Sequence, residues 1–171
     1  MFEKRFRTGD GKNVSYKEMV TIIANYIKQN PDADYEITVG TDSQNHDKTK
    51  MVEVIAVCRV GSGGIFFVHI EVMNKISDLR QKIYEETSRS LENAHGLLDE
   101  IYLQIMNNEE DFDIEKLNVH FVVHCDIGRS RKSKTRVLVQ EIVGWVEAEG
   151  YECVIKPDSY TASGIANKFS K

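Results

Sequence analysis

The chain has 171 residues, of which 41% are apolar and 29% charged, and it carries a net charge of −5. That length and balance suit one globular domain with a sizeable core and exclude a disordered or fibrous chain. The apolar runs are too short to cross a bilayer, and the polar segment at residues 1–13 lacks the apolar stretch of a signal peptide, so a cytoplasmic protein is expected.

In chain order, residues 1–14 read as an irregular lead-in. Ser15 then opens a capping box with Glu18, and Met19, Ile22, Ile23, Tyr26 and Ile27 repeat at helical spacing, so a helix is predicted over residues 15–30, closed by Asn30-Pro31. Three strands follow at residues 35–42, 51–60 and 65–73, the first two separated by a polar turn and the last two by Gly-Ser-Gly-Gly. Short links of this kind make an antiparallel meander. A long helix is predicted from about Ser77 to Asn107, then an acidic loop, a fourth strand at 117–126, a basic loop, a helix at 134–149, a fifth strand at 151–157 and a short helix at 161–169. A meander followed by alternating strands and helices implies a five-stranded mixed sheet, three antiparallel strands plus two parallel ones, with helices on both faces of a single domain spanning residues 1–171. Cys58, Cys125 and Cys153 all lie in apolar strand-like runs without metal-binding spacing and are expected to be buried, reduced thiols.

Two of these strands end in an aspartate. The first closes on Val-Gly-Thr-Asp42 and the fourth on Val-His-Cys-Asp126. If the two strands are parallel neighbours, their ends lie about 4.8 Å apart and the carboxylates face one another beyond the strand ends, where α/β sheets bind ligands. Carboxylates that close repel unless a proton or a cation lies between them, and magnesium with its preference for oxygen ligands fits. A third carboxylate, Glu86, interrupts the apolar stripe of the long helix, a place where a charge needs a partner. Asp158, just past the fifth strand, is a fourth candidate ligand. Four converging acids would make a two-metal site of the kind that cleaves phosphodiesters. Arg129, Arg131, Lys132, Lys134 and Arg136 follow Asp126 closely and form a candidate grip on a nucleic-acid backbone.

Each feature also has an ordinary reading. A strand-end aspartate is often a turn or cap residue, a helix glutamate can pair with an arginine, Asp158 sits in a common turn setting, and a basic run is often a solvated loop. His124 shares a strand face with Asp126, His46 lies in the turn after Asp42, and the remaining histidines give no signal. P-loop, zinc-protease and serine-hydrolase motifs are absent from the sequence.

The stretches VGTDSQ, HCDIG and KPDSYTASGIANKFSK, in this order and spacing, resemble the bacterial YkuK-like family of the ribonuclease H-like superfamily, over roughly residues 15–171. The resemblance implies a five-stranded mixed sheet, here with an extra N-terminal helix. It further implies an aspartate on the first strand at Asp42, one on the fourth at Asp126 and a helix glutamate at Glu86, which in the superfamily's nucleases bind magnesium or manganese and cleave RNA or DNA. Those nucleases carry a further acid on or near the final helix, where this chain has Ser163 and Asn167. Asn167 offers a metal only an amide oxygen. Two functions therefore stay open: a metal-dependent nuclease, and a non-catalytic nucleic-acid-binding or protein-interaction module on the same fold.

Overall fold

A computed structural model describes residues 3–108, 112–128 and 133–156, with the side chains of 108 and 133–135 left out. The sheet has seven strands, not five: β1 (Arg5–Thr8), β2 (Asn13–Ser15), β3 (Asp34–Asn45), β4 (Thr49–Arg59), β5 (Gly64–Met73), β6 (Asn118–Gly128) and β7 (Glu152–Lys156), in the spatial order β2-β1-β5-β4-β3-β6-β7. Five of them make the expected mixed sheet, with β5, β4 and β3 antiparallel and β6 and β7 added in parallel. The extra pair is the supposed lead-in. β1 and β2 form a hairpin that pairs with β5 through Arg7↔Val68 and Thr8↔Phe67. Phe6, 1% exposed, fixes this hairpin to the core.

The predicted helix near the N-terminus is α1 (Tyr16–Gln29), with both halves of the capping box formed between Ser15 and Glu18. The long helix is broken into α2 (Leu79–Ala94) and α3 (Leu97–Asn108). The break falls at Gly96, whose φ of 71° a helix cannot accommodate and a side chain would resist. A 3₁₀ turn, Ile114–Lys116, precedes β6, and α4 (Ser133–Ala148) follows the basic segment. The short helix expected at 161–169 lies outside the described residues.

The core has a plain origin in strand alternation. Odd-numbered residues of the strands, among them Tyr35, Ile37, Val39, Ile55, Val57, Phe67 and Val123, join Met19, Ile23 and Ile27 of α1, Leu91 of α2, Ile101 of α3 and Ile142 of α4 in one apolar cluster. All four described helices bury side chains in this one cluster. The opposite side carries a smaller cluster of Val52, Val54, Ala56 and Val68, with no described helix in it. Cys58 also departs from expectation. It lies near the end of β4 and is exposed, whereas Cys125 is buried and Cys153 half-buried. Among the described residues no helix is long and apolar enough to cross a membrane.

If the hairpin is an integral part of the sheet, truncating its one fully buried anchor should cost as much as a core deletion. Phe6→Ala is expected to lower the unfolding free energy by about 3–5 kcal/mol in urea titrations. A loss under about 1 kcal/mol would mean that β1 and β2 are dispensable to the core.

Candidate metal and nucleic-acid site

The parallel ladder between β3 and β6 runs from Asp34↔Asn118 to Thr41↔Cys125. The next residue on each strand is an aspartate, Asp42 and Asp126. Neither ends its strand, contrary to the sequence reading. β3 continues to Asn45 because its other edge stays paired with β4, through Asp42↔Val52 as far as Asn45↔Thr49. β6 continues to Gly128 through an irregularity: Cys125 pairs with Ile155, and the next pairing is Gly128 with Lys156, so Asp126 and Ile127 bulge out of the ladder. Bulges of this kind re-aim side chains and recur beside active sites. The two carboxyls end up within hydrogen-bonding reach of one another.

Their closeness is visible in the acid-base chemistry. Burial and the neighbouring charge of Asp126 push Asp42 up to about 6, against the pull of the Ser43 amide and Lys156. The Ser43 N–H donates to Asp42 Oδ1 at 2.9 Å. Glu86, on α2, is 7% exposed. Burial pushes it up to about 8, with the Asp42 and Asp126 charges adding to the effect and Ser43 and Lys82 opposing it. The Ser43 hydroxyl donates to Glu86 Oε1, and the Thr41 and Ser90 hydroxyls bond one another at 2.8 Å, fastening α2 to β3 one turn further along. Thus Thr41 and Ser43 tie the helix to the strand, while Asp42 between them meets Asp126.

A cation already stands at this cluster. Lys156, the last residue of β7, puts its ammonium 2.8 Å from Asp126 Oδ1 and feels the charges of Asp42 and Glu86 as well. Sequence reading missed it, because a lysine closing an apolar strand looks like an ordinary solvated end.

Of the other predicted residues, Arg136 is exposed at the start of α4. Lys134 lies on α4, its side chain not described. Asp158, Asn167, Arg129, Arg131 and Lys132 lie outside the described residues. His124 is buried on β6 and His46 is exposed beyond β3. Behind Asp126, the Sγ atoms of Cys125 and Cys153 lie 3.6 Å apart, and that contact together with burial holds the Cys125 thiol well above its usual range.

A second acidic group was also missed. Glu53, His69 and Glu71 on β4 and β5 bring ligand-type atoms within 4.8 Å of one another. The signal was present in the sequence, as a glutamate inside the apolar run Met-Val-Glu-Val-Ile-Ala-Val. Glu53 is fully buried, but cations and donors already surround it: Lys4 Nζ at 2.7 Å, Arg89 Nη1 at 3.3 Å and Asn93 Nδ2 at 2.9 Å. Arg89 also binds Glu71 at 2.6 Å and Glu85 at 2.9 Å. In this network each of the three glutamates is paired with Lys4 or Arg89, and it clamps α2 to the sheet, whereas among the described residues the Asp42 cluster has one ion pair, Lys156 with Asp126.

The donor chemistry of that cluster fits a hard divalent ion. Its ligands are carboxylate oxygens, their mutual repulsion is unrelieved by Lys156 alone, and a cation removes the cost that drives Asp42 and Glu86 toward protonation. Residues 18–171 match the family model described as ribonuclease H-like, and the chain belongs to that family. It is 34% identical over 160 residues to the uncharacterized protein YkuK of Bacillus subtilis (strain 168), covering 92% of each chain. No solved structure matches it.

Two outcomes follow. A carboxyl whose pKa is raised on folding favours the neutral form in the folded state. The stability it allows is complete below the unfolded value near 4.5 and declines until the folded group ionises near 8. With divalent ions chelated, the melting temperature of wild type should fall between pH 5 and pH 8, and Glu86→Gln should flatten that slope; equal slopes would mean that Glu86 ionises unhindered. Separately, Arg89→Met, which removes a buried partner of Glu53, should cost about 3 kcal/mol in chemical denaturation. The exposed pair Arg80–Glu141 provides the contrast, and Arg80→Met should cost less than about 1 kcal/mol.

Proposed function

We propose that this protein is a divalent-metal-dependent nuclease acting on phosphodiester bonds of RNA or DNA. The observation that carries the reading is the convergence of Asp42, Asp126 and Glu86 at the point where the parallel ladder ends, held together although their charges repel. Membership of the ribonuclease H-like family supports it.

Asp42, Asp126 and Glu86 would hold magnesium or manganese, which when bound supplies a Lewis acid and an activated water for attack on phosphorus. The chain's own part is positioning. The β3–β6 ladder sets the spacing of the two aspartates, the bulge at Asp126 turns its carboxyl toward Asp42, and the Ser43 hydroxyl holds Glu86 in place. Arg129, Arg131, Lys132, Lys134 and Arg136 follow Asp126 in sequence and would grip the phosphates on either side of the scissile bond. Asp158 and Asn167 are the proposed outer ligands.

A second reading is favoured by the chain's own composition. Ser163 and Asn167 stand in the final segment where superfamily nucleases carry an acid, and the net charge is −5. A binding module without turnover would keep the basic segment and lose cleavage.

Millimolar magnesium or manganese should raise the melting temperature of wild type and leave Asp42→Asn unchanged; a chain insensitive to both ions has no metal centre there. In a cleavage assay with single-stranded, duplex and hybrid substrates, Asp126→Asn should reduce the rate at least about a hundredfold, the upper end for losing even an outer partner of a metal ligand. Binding without cleavage in wild type would select the second reading.

A further inference from the structure

The carboxylate cluster has a neighbour that the nuclease reading does not use. Lys156 reaches it by construction. β7 ends opposite Gly128, after the two-residue bulge in β6, and the lysine stem runs over Gly128, where a side chain's first carbon would lie 3.5 Å from Lys156 Cβ. Its ammonium then sits 2.8 Å from Asp126 Oδ1, a carboxylate whose side chain is only 19% exposed. An exposed lysine on a strand edge usually points to water and makes no fixed contact. This one is aimed at the carboxylate that the strand geometry places against Asp42.

The charge count gives this placement its meaning. Asp42, Asp126 and Glu86 carry three negative charges when ionised. Two divalent ions side by side are held in two-metal sites by bridging and flanking acids on both sides. Here the flank beside Asp126 carries an ammonium, which repels a second ion and supplies a positive charge of its own.

We propose that Lys156 takes the place of a second metal: the site binds one divalent ion, held by Asp42, Glu86 and Asp126, and the Lys156 ammonium serves as the other cation. The inference rests on the metal-centre reading above. In that role Lys156 is a positioning residue. Its ion pair with Asp126 Oδ1 holds that carboxylate in place beside Asp42.

Binding of manganese to the full-length chain, followed by titration calorimetry and by the loss of the free-ion electron paramagnetic resonance signal, tests this. Wild type should bind one Mn²⁺ per chain. Lys156→Met should bind it about tenfold or more tightly, since an adjacent competing charge is gone, and Lys156→Arg should restore wild-type affinity. Lys156→Glu, which replaces the ammonium by a carboxylate, should bind two ions. Circular dichroism checks that the variants keep the fold. Two Mn²⁺ ions in wild type, or unchanged affinity in Lys156→Met, would overturn the proposal while leaving a metal centre that Asp42→Asn abolishes. If wild type binds no ion that Asp42→Asn removes, the metal-centre reading fails, and this proposal falls with it.

Discussion

The parallel pairing of β3 with β6 stops at Thr41 and Cys125, and one residue further each strand carries an aspartate. Two like charges in a partly dry place, separated by about one strand spacing, repel by about 3 kcal/mol at an effective dielectric constant of about 20. A fold that keeps this arrangement has to secure it from several directions. The antiparallel β4 holds β3 past Asp42, β7 holds β6 on either side of the bulge, and α2 is fastened across the top by hydroxyl contacts from Thr41 and Ser43.

Helix α2 is the element under most demand. It carries Glu86 at one point, Arg89 about one turn later and Asn93 about two turns later, so one helix serves the carboxylate cluster and also the buried charge network around Glu53. The two clusters differ in kind. Around Glu53 every charge has a partner, and the network acts as a clamp. Around Asp42, among the described residues, three acids share one ion pair, that of Asp126 with Lys156, and the imbalance is what a metal ion can use. Similar residues thus stabilise in one place and prepare a site in the other, and the difference lies in which cations the neighbouring elements deliver.

The sequence made the central sheet and three of the acids legible because their signals are local. The Ser15–Glu18 capping box, the alternation through residues 35–42 and the aspartates followed by turn-forming residues can each be read from a few neighbours. What escaped depends on pairing at a distance. Arg5–Thr8 offers one apolar residue in a charged stretch, and only its pairing with β5 makes it a strand. Glycine at 96 costs a helix little on paper, yet here it turns the chain between two helices. Lys156 acquires its meaning only from the parallel register and the bulge in β6. Glu53 was the avoidable omission, since a charge inside an apolar strand signals a buried partner without any knowledge of the fold.

The turn at Gly96 also bears on how such a chain can change over generations. α3 lies against α1, whereas α2 lies against β3 and β6. Because the two helices are not one rigid rod, a substitution that shifts α3 against α1 can be absorbed at the joint instead of being levered into the position of Glu86. The packing of α3 on α1 can therefore change without altering the geometry of the acids.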